Sequence, residues 1–336
     1  MTFTLPCFLR IVRMVVLALP CSPKKIVFSL AMEIRNPVDL FGSGHVVKVS
    51  APMVRYSKLP FRTLVRKYGC ELCFTPMIIA VDFLRSAKAR DSEFTTSKGD
   101  RPLIVQFAAK DAQVLAEAAC TVSPFADGVD LNCGCPQRWA LAEGYGACLL
   151  NKPELIKDMA RQVRNQVENP CFSVSLKIRV HSDTARTVDL CQKAAMAGVS
   201  WITVHGRTSE ERHHPVHYDA IRIIKESLSI PVVANGDLKN LKDVSMVHQL
   251  TGADGVMAAR GLLANPAMFA GYEETSLQCI RDWIDIALGH GTPFTCFHHH
   301  LMYMMERITS RQEKRIFNAL TSASAVLDYL RENYGI

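Results

Sequence analysis

The stretch from Ser173 to Gly206, "SVSLKIRVHSDTARTVDLCQKAAMAGVSWITVHG", decides the fold. Ser173–Val180 and Trp201–Gly206 are short runs rich in strand-forming residues. Between them, Thr187–Ala197 has amphipathic helical spacing and stops at Gly198, a residue suited to the turn past a helix end. Strand, helix and strand in that order make a parallel pair joined by a crossover.

The same rhythm extends both ways. Upstream lie Val46–Met53, Leu72–Met77, Leu103–Ala108 and Gly128–Cys133; downstream lie Pro231–Gly236 and Gly255–Gly261. Intervening segments are amphipathic, as in Pro153–Val167, where Leu155, Ile156, Met159 and Val163 share a face. Eight strands alternating with helices close into a (β/α)8 TIM barrel, with a doubly wound open sheet as the alternative. The barrel is favoured because polar or functional residues stand at the C-terminal ends of nearly all eight runs: Met53, Gln106, Cys135, Lys177, His205, Asn235 and Arg260. In an open sheet only strands near the switch point would need them. Past Gly271 the strands cease, and Leu277–Leu288, Phe294–Ile308 and Asn318–Tyr329 are expected as three helices. The expected organisation is an extension over residues 1–33, a barrel over 34–271 and a small all-helical region over 272–336.

With 336 residues, 49% apolar and 21% charged, the chain has the composition of an ordinary soluble globular protein. Its 12 cysteines are scattered, which fits reduced thiols in a cytoplasmic compartment rather than a disulfide scaffold. Of the net charge of +7, four positive charges (Arg10, Arg13, Lys24 and Lys25) precede the first acid, Glu33. Any nucleic-acid surface must therefore be local. The apolar run Met14–Leu19 is too short to span a bilayer, so no membrane association is expected. Both a targeting segment, nuclear or mitochondrial, and an unstructured extension fit residues 1–33.

Chemistry concentrates at the strand ends. The eighth run leads into "MAARGLLANP", which offers backbone N–H groups and Arg260 where such barrels bind phosphate, and the seventh ends in the tight turn "ANGD". Together they suggest a phosphorylated cofactor. Lys177, pointing into the barrel mouth, needs an anion or a developing negative charge as partner, and a reduced flavin supplies one. Gln106 and His205 add donors and acceptors beside it. In "DLNCGCPQ" (130–137), Gly134 and Pro136 break the strand and present Cys135, whereas Cys133 is expected to pack. A thiol, with an unperturbed pKa of about 8.5, is mostly protonated at neutral pH and can act as a general acid.

These residues resemble a family. "APMVRYSKLPFRTLVRKYG", "LIVQFAAKD", "DLNCGCPQ", "SLKIR", "TVHGRT", "VVANGD" and "GADGVMAARG" occur in the order found in the tRNA-dihydrouridine synthases. The tail "LMYMMERITSRQEKRIFNAL" and the loop "PQRWALAEGYGACLL" look like that family's type-4 group. The resemblance implies FMN-dependent reduction of uridine to 5,6-dihydrouridine in the D-loop of tRNA, at positions 20a and 20b, with NADPH as electron donor. It implies that Pro52, Met53 and Val54 lie along the flavin and that Gln106, Lys177 and His205 contact its ring system. Asn235, Gly236, Asp237, Ala259 and Arg260 would hold its ribityl-phosphate end, Cys135 would be the proton donor at uracil C5, and the helical tail would bind tRNA. "GYGACL" lacks the third glycine and the preceding strand of a dinucleotide fingerprint, so NADPH and tRNA would visit one flavin in turn. Rival readings are a flavin enzyme reducing a free pyrimidine, an idle tRNA-binding protein and, more weakly, a Schiff-base aldolase using Lys177.

No metal site and no obligate protein partner are expected. Cys70-Glu-Leu-Cys73 is half a zinc motif, and His213, His214 and His217 fit a loop over the active-site mouth. His298-His299-His300 sits in a helical pattern and is expected on a solvated or RNA-facing edge. The best phosphate-contact candidates are Arg307, Arg311, Lys314 and Arg315, with Arg55, Lys58, Arg62, Arg66 and Lys67. A substrate uridine must leave its stack to reach the pocket.

Overall fold

The computed structural model describes residues 36–336; the expected extension over residues 1–33 lies outside them. Nine strands occur among the described residues: β1 Val47–Ser50, β2 Leu72–Phe74, β3 Ile78–Ile79, β4 Leu103–Ala108, β5 Gly128–Cys133, β6 Ser173–Arg179, β7 Trp201–His205, β8 Val232–Asn235 and β9 Gly255–Ala258. All pair in parallel, and β2–β4 and β1–β9 pairing closes the ring. Eight staves result, because β3 is a two-residue return of the second stave to Phe107 and Ala108 after the break at Thr75–Met77. The chain is a TIM barrel followed by helices.

The strands are apolar on both faces because the barrel interior lies on one side and a helix layer on the other. Every residue of β4, β5, β8 and β9 is buried. Helix Pro153–Gln166 buries Ile156, Met159, Ala160 and Val163, and Asp183 caps helix Thr184–Met196 through the amide of Ala185.

The expected runs overshoot at their C-terminal ends. β1 stops at Ser50, and β9 stops at Ala258 before the short helix Arg260–Ala264. There the backbone leaves the ladder to form the mouth. Register then aligns the mouth residues: Asn132 pairs with Lys177, Arg179 with His205, and His205 with Asn235.

Past the barrel, four helices replace the three expected: Leu277–Gly289, Phe294–Met304, Arg311–Asn318 and Ala323–Tyr334. The expected helix Asn318–Tyr329 straddles a break. Ser310 and Glu313 form a reciprocal capping box that starts one helix, and Ser322 accepts from the Ala325 amide to start the next. The helices dock on the barrel through Trp283, whose ring and that of Phe61 both face His300, at 4.5 and 4.6 Å. Tyr68 adds a hydrogen bond to Asp282 at 2.8 Å. Among the described residues, no helix is long and apolar enough to cross a membrane.

Candidate active site

On β5, the alternation of the strand sends Asp130 and Asn132 one way and Leu131 and Cys133 the other. Cys133 is wholly buried, and burial pushes its thiol well above the usual range. Cys135, two residues beyond in the loop, is half-buried. Four hydrogen bonds hold that loop. The Asn132 side-chain oxygen accepts from the amides of Cys135 at 2.9 Å and Gly134 at 3.2 Å. The Arg179 guanidinium donates to the Gly134 carbonyl at 3.0 Å. The Ala147 amide donates to the Cys135 carbonyl at 3.0 Å, and Gly146, at φ 63°, lets the loop "GYGACL" approach this closely. A Cβ on Gly146 would stand 2.5 Å from the Cys135 carbonyl oxygen.

Asn132 is itself the end of a chain of buried hydrogen bonds. Its amide donates to Gln106 at 2.9 Å, Gln106 donates to Asp130 at 2.8 Å, and Ser175 donates to the second oxygen of Asp130 at 2.7 Å. Asp130 is wholly buried, and burial raises its carboxyl to about 6. Lys177 stands nearby; burial, with Arg179 next, lowers its ammonium to about 8. Its one hydrogen bond among the described residues, at 2.9 Å, goes to Asn235, which is fixed in turn by donating to the Met257 carbonyl at 2.8 Å. At least two of the three lysine donors are left for a ligand. His205 is driven far down by burial and by Lys177, Arg179 and Arg207, so its ring is neutral.

His205, Asn235, Gly236, Asp237, Ala259 and Arg260 line one open cleft of about 640 Å³, with Arg307 and Lys314 of the helical region across it. Asp237 is gripped from both sides, by the buried Arg207 and by Arg260 at 3.0 Å. Gly261 lets the helix Arg260–Ala264 approach the segment after β8 closely, since a Cβ on it would stand 2.1 Å from the Leu238 carbonyl oxygen. Met53 is buried and Val54 exposed where β1 opens into the mouth, with Pro52 half-buried between Ala51 and Met53. Of the candidate residues, Lys177 and Asn235 are bonded directly, as are Asp237 and Arg260; Gln106 reaches the Cys135 loop through Asn132.

Asp130, Asn132, Ser175, Arg179 and Arg207 were not anticipated as site residues. Asp130 and Asn132 did carry a signal, being polar residues two apart within a run that is otherwise apolar.

Some expectations need correction. His298 and His300 are not on a solvated edge: they are 5% and 0% exposed and hydrogen-bonded to the carbonyls of Phe317 and Tyr56. Arg62 is not free for phosphate, because it is buried and ion-paired with Asp100 at 2.7 Å. Arg66 shares Asp100, while Lys67 pairs with Asp282 and Lys58 lies 3.8 Å from Glu93. Cys70 and Cys73 face each other with sulfurs 3.7 Å apart, and His217 pairs with Glu211. Among the described residues, no group of three or more His, Cys, Asp or Glu could hold a metal ion.

The family model for dihydrouridine synthase matches residues 49–331, from within β1 through β9 and most of the helical tail. The chain belongs to the dihydrouridine synthase family. It is 72% identical over 302 residues to the human NAD(P)-linked tRNA-dihydrouridine(20a/20b) synthase-like protein, covering 90% of this chain and 95% of that one. The NAD(P)-linked tRNA-dihydrouridine(20a/20b) synthase of Schizosaccharomyces pombe is 42% identical over 306 residues, covering 90% of this chain and 93% of that one. The chain is accordingly an NAD(P)-dependent oxidoreductase of this family.

Proposed function

We propose that this protein reduces uridine to 5,6-dihydrouridine in the D-loop of tRNA, at positions 20a and 20b, with FMN as resident cofactor and NADPH as reductant. One observation carries the reading: Cys135 is held at the barrel mouth by Asn132, Arg179 and the Gly146 loop, on the same rim as the half-buried Lys177, whose ammonium desolvation lowers. The residues fit an FMN. Lys177 is a desolvated cation with one neutral partner, and the adjoining cleft ends at Asn235, Gly236, Asp237, Ala259 and Arg260. Pro52, Met53 and Val54 would flank the ring, and Gln106, Lys177 and His205 would meet its polar edge.

A bound, reduced flavin would supply the hydride that uracil C6 takes up. Cys135 gives its thiol proton to C5, so that proton and hydride together saturate the C5=C6 bond. The thiolate left behind lies near the Arg179 charge and regains its proton from solvent. Lys177 balances the negative charge of the reduced ring. Asp237, oriented by Arg207, holds Arg260 in place for the phosphate end.

Arg307, Arg311, Lys314 and Arg315 are the candidate contacts to the tRNA backbone, which makes residues 272–336 the RNA-binding part. This reading needs no obligate protein partner and puts the enzyme in the cytoplasm with its substrate.

The test is an anaerobic absorption spectrum. Flavin bands should bleach with NADPH and return with unmodified tRNA but not with free uracil. Bands that return only with a free pyrimidine would overturn the substrate, and a colourless protein that binds tRNA would overturn the chemistry.

A further inference from the structure

The barrel interior holds a carboxylate to which the reaction proposed above gives no step. Register sets Gln106, Asp130 and Ser175 in one layer across β4, β5 and β6, and places Asn132 and Lys177 in the next layer toward the mouth. Strand alternation carries the same inward face around the ring. Among the described strand residues, Asp130 is the one carboxylate on that face, and its cations are Lys177 and, at the rim, Arg179. Asp237, an acid of the mouth beyond β8, is taken up by Arg207 and Arg260.

Asp130 is wholly buried, and each of its oxygens accepts from an uncharged donor, Gln106 Nε2 at 2.8 Å and Ser175 Oγ at 2.7 Å. Its charge is therefore solvated by dipoles but not neutralised by a contact. Lys177 has the converse shortage. Asn235, which accepts from it, is neutral, and desolvation, then Arg179, acts against its ammonium. Arg179 itself donates to the carbonyls of Gly134, Thr208 and Glu211 and to no carboxylate among the described residues. Two opposite charges, neither with an ion-pair contact, thus lie on adjacent strands one layer apart. Strands about 4.8 Å apart with about 3.3 Å of rise per residue put their Cα atoms about 8 Å from each other.

We propose that Asp130 is a positioning residue that acts through Lys177: its charge, one layer deeper in the barrel, keeps the lysine protonated while leaving the lysine's donors free for an anionic ligand. A direct ion pair would hold the proton as well, but it would occupy a donor and cancel the charge that the ligand must meet. Attraction across one layer avoids both, because Coulomb energy falls only as the inverse of distance whereas a hydrogen bond needs contact. Burial raises the Asp130 carboxyl to about 6, so it is ionised at neutral pH. The groups facing the pair are Gln106, Ser175 and Asn235, which do not titrate, the Arg179 guanidinium, the neutral His205 ring and the Cys135 thiol. Cys133 lies on the opposite face of β5. The consequence for ligand affinity rests on the flavin reading above; the coupling of the two charges does not.

The test compares the parent with Asp130→Asn and Ser175→Ala. Asp130→Asn keeps the shape and both hydrogen bonds, its oxygen accepting from Gln106 and its amide donating to Ser175, and removes the charge. Ser175→Ala keeps the charge and removes one hydrogen bond. Melting curves of the apoprotein from pH 6.5 to 10 read the lysine with no flavin present. Parental stability should rise from near pH 8, where Lys177 releases a proton that the unfolded chain still holds. Two unit charges about 8 Å apart at an effective dielectric constant of about 20 displace each other's titration by about one to one and a half pH units. Asp130→Asn should start the rise lower by that amount, with Ser175→Ala near the parent. In flavin titrations, the pH at which affinity falls should move by the same amount. By reciprocity Lys177→Met should raise the Asp130 titration equally, read by carboxyl carbon NMR, which decides the matter even if Asp130→Asn does not fold. An unmoved onset in Asp130→Asn, or an unmoved Asp130 titration in Lys177→Met, would overturn the coupling. An equal displacement by Ser175→Ala would overturn it too, by assigning the effect to lost packing. A parent that binds no flavin would sink the cofactor reading, while the melting curves and the NMR titration still decide the coupling.

Discussion

The amide of Cys135 donates to the side-chain oxygen of Asn132 at 2.9 Å, so the proposed proton donor is positioned by a residue three places earlier in the chain. Asn132 is held in turn by Gln106, and Gln106 by Asp130. The loop is thus tied, through Asn132, to buried hydrogen bonds between β4 and β5. Removing the Asn132 amide should let the thiol wander by a fraction of an ångström to an ångström, which costs up to about 100-fold in rate. Asn132→Ala is expected to lower kcat for dihydrouridine formation at least about tenfold while the flavin absorbance per mole of protein stays near that of the parent. An unchanged kcat would show that Asn132 does not position the acid.

The two thiols of "NCGC" should differ in reach. Cys133 is 0% exposed and Cys135 half-buried, so iodoacetamide should label Cys135 first in the native protein, as read by peptide mass. Cys133→Ala should leave dihydrouridine formation intact and cost stability only, about 1 kcal/mol as for other small core truncations. Labelling of Cys133 ahead of Cys135 would reverse the assignment.

Lys177 should set a pH dependence. Its ammonium titrates near 8 in the apoprotein, so affinity for an anionic flavin should be greatest below pH 8 and fall above it. The same depressed value acts on stability with a definite sign. Between about pH 8 and about 10.4, the ordinary lysine value, the unfolded chain holds a proton that the folded apoprotein has released, so apoprotein stability rises with pH across that window. Lys177→Met should remove both trends. Flavin titrations and melting curves from pH 7 to 10 check this, and parallel profiles for variant and parent would contradict it.

Buried and surface arginines should separate cleanly. Asp100 neutralises Arg62, both being 1% exposed at their side chains, and also holds Arg66. Asp100→Ala leaves a buried cation unpaired and should cost about 3–5 kcal/mol in urea denaturation. Arg307→Ala with Lys314→Ala should leave the melting temperature unchanged and weaken tRNA binding, with the slope against log salt falling by about one for each phosphate no longer neutralised. Equal tRNA affinity at every salt concentration would remove these two residues from the RNA surface.

The barrel was legible because all eight staves are short apolar runs, and polar or functional residues gathered where the runs end. The mouth was less legible for a physical reason. Asp130, Asn132 and Ser175 lie inside strands, and only the register of the neighbouring strands β4, β5 and β6 sets Gln106, Asp130 and Ser175 side by side in one chain of hydrogen bonds. His300 and Arg62 misled because their residue types usually seek water; here each is buried with a specific partner, the Tyr56 carbonyl and Asp100. The break between Asn318 and Ala323 escaped notice because a capping serine, Ser322, rather than a proline or glycine, marks it.

The central claim, that Cys135 protonates uracil C5, is tested most directly in one turnover. Enzyme carrying reduced flavin is mixed anaerobically with unmodified tRNA, for the parent and for Cys135→Ala, and flavin reoxidation and dihydrouridine are followed together. The expected result is that Cys135→Ala keeps its flavin and its reduction by NADPH but loses reoxidation by tRNA and forms no dihydrouridine. Reoxidation and product formation at the parental rate in Cys135→Ala would contradict the claim.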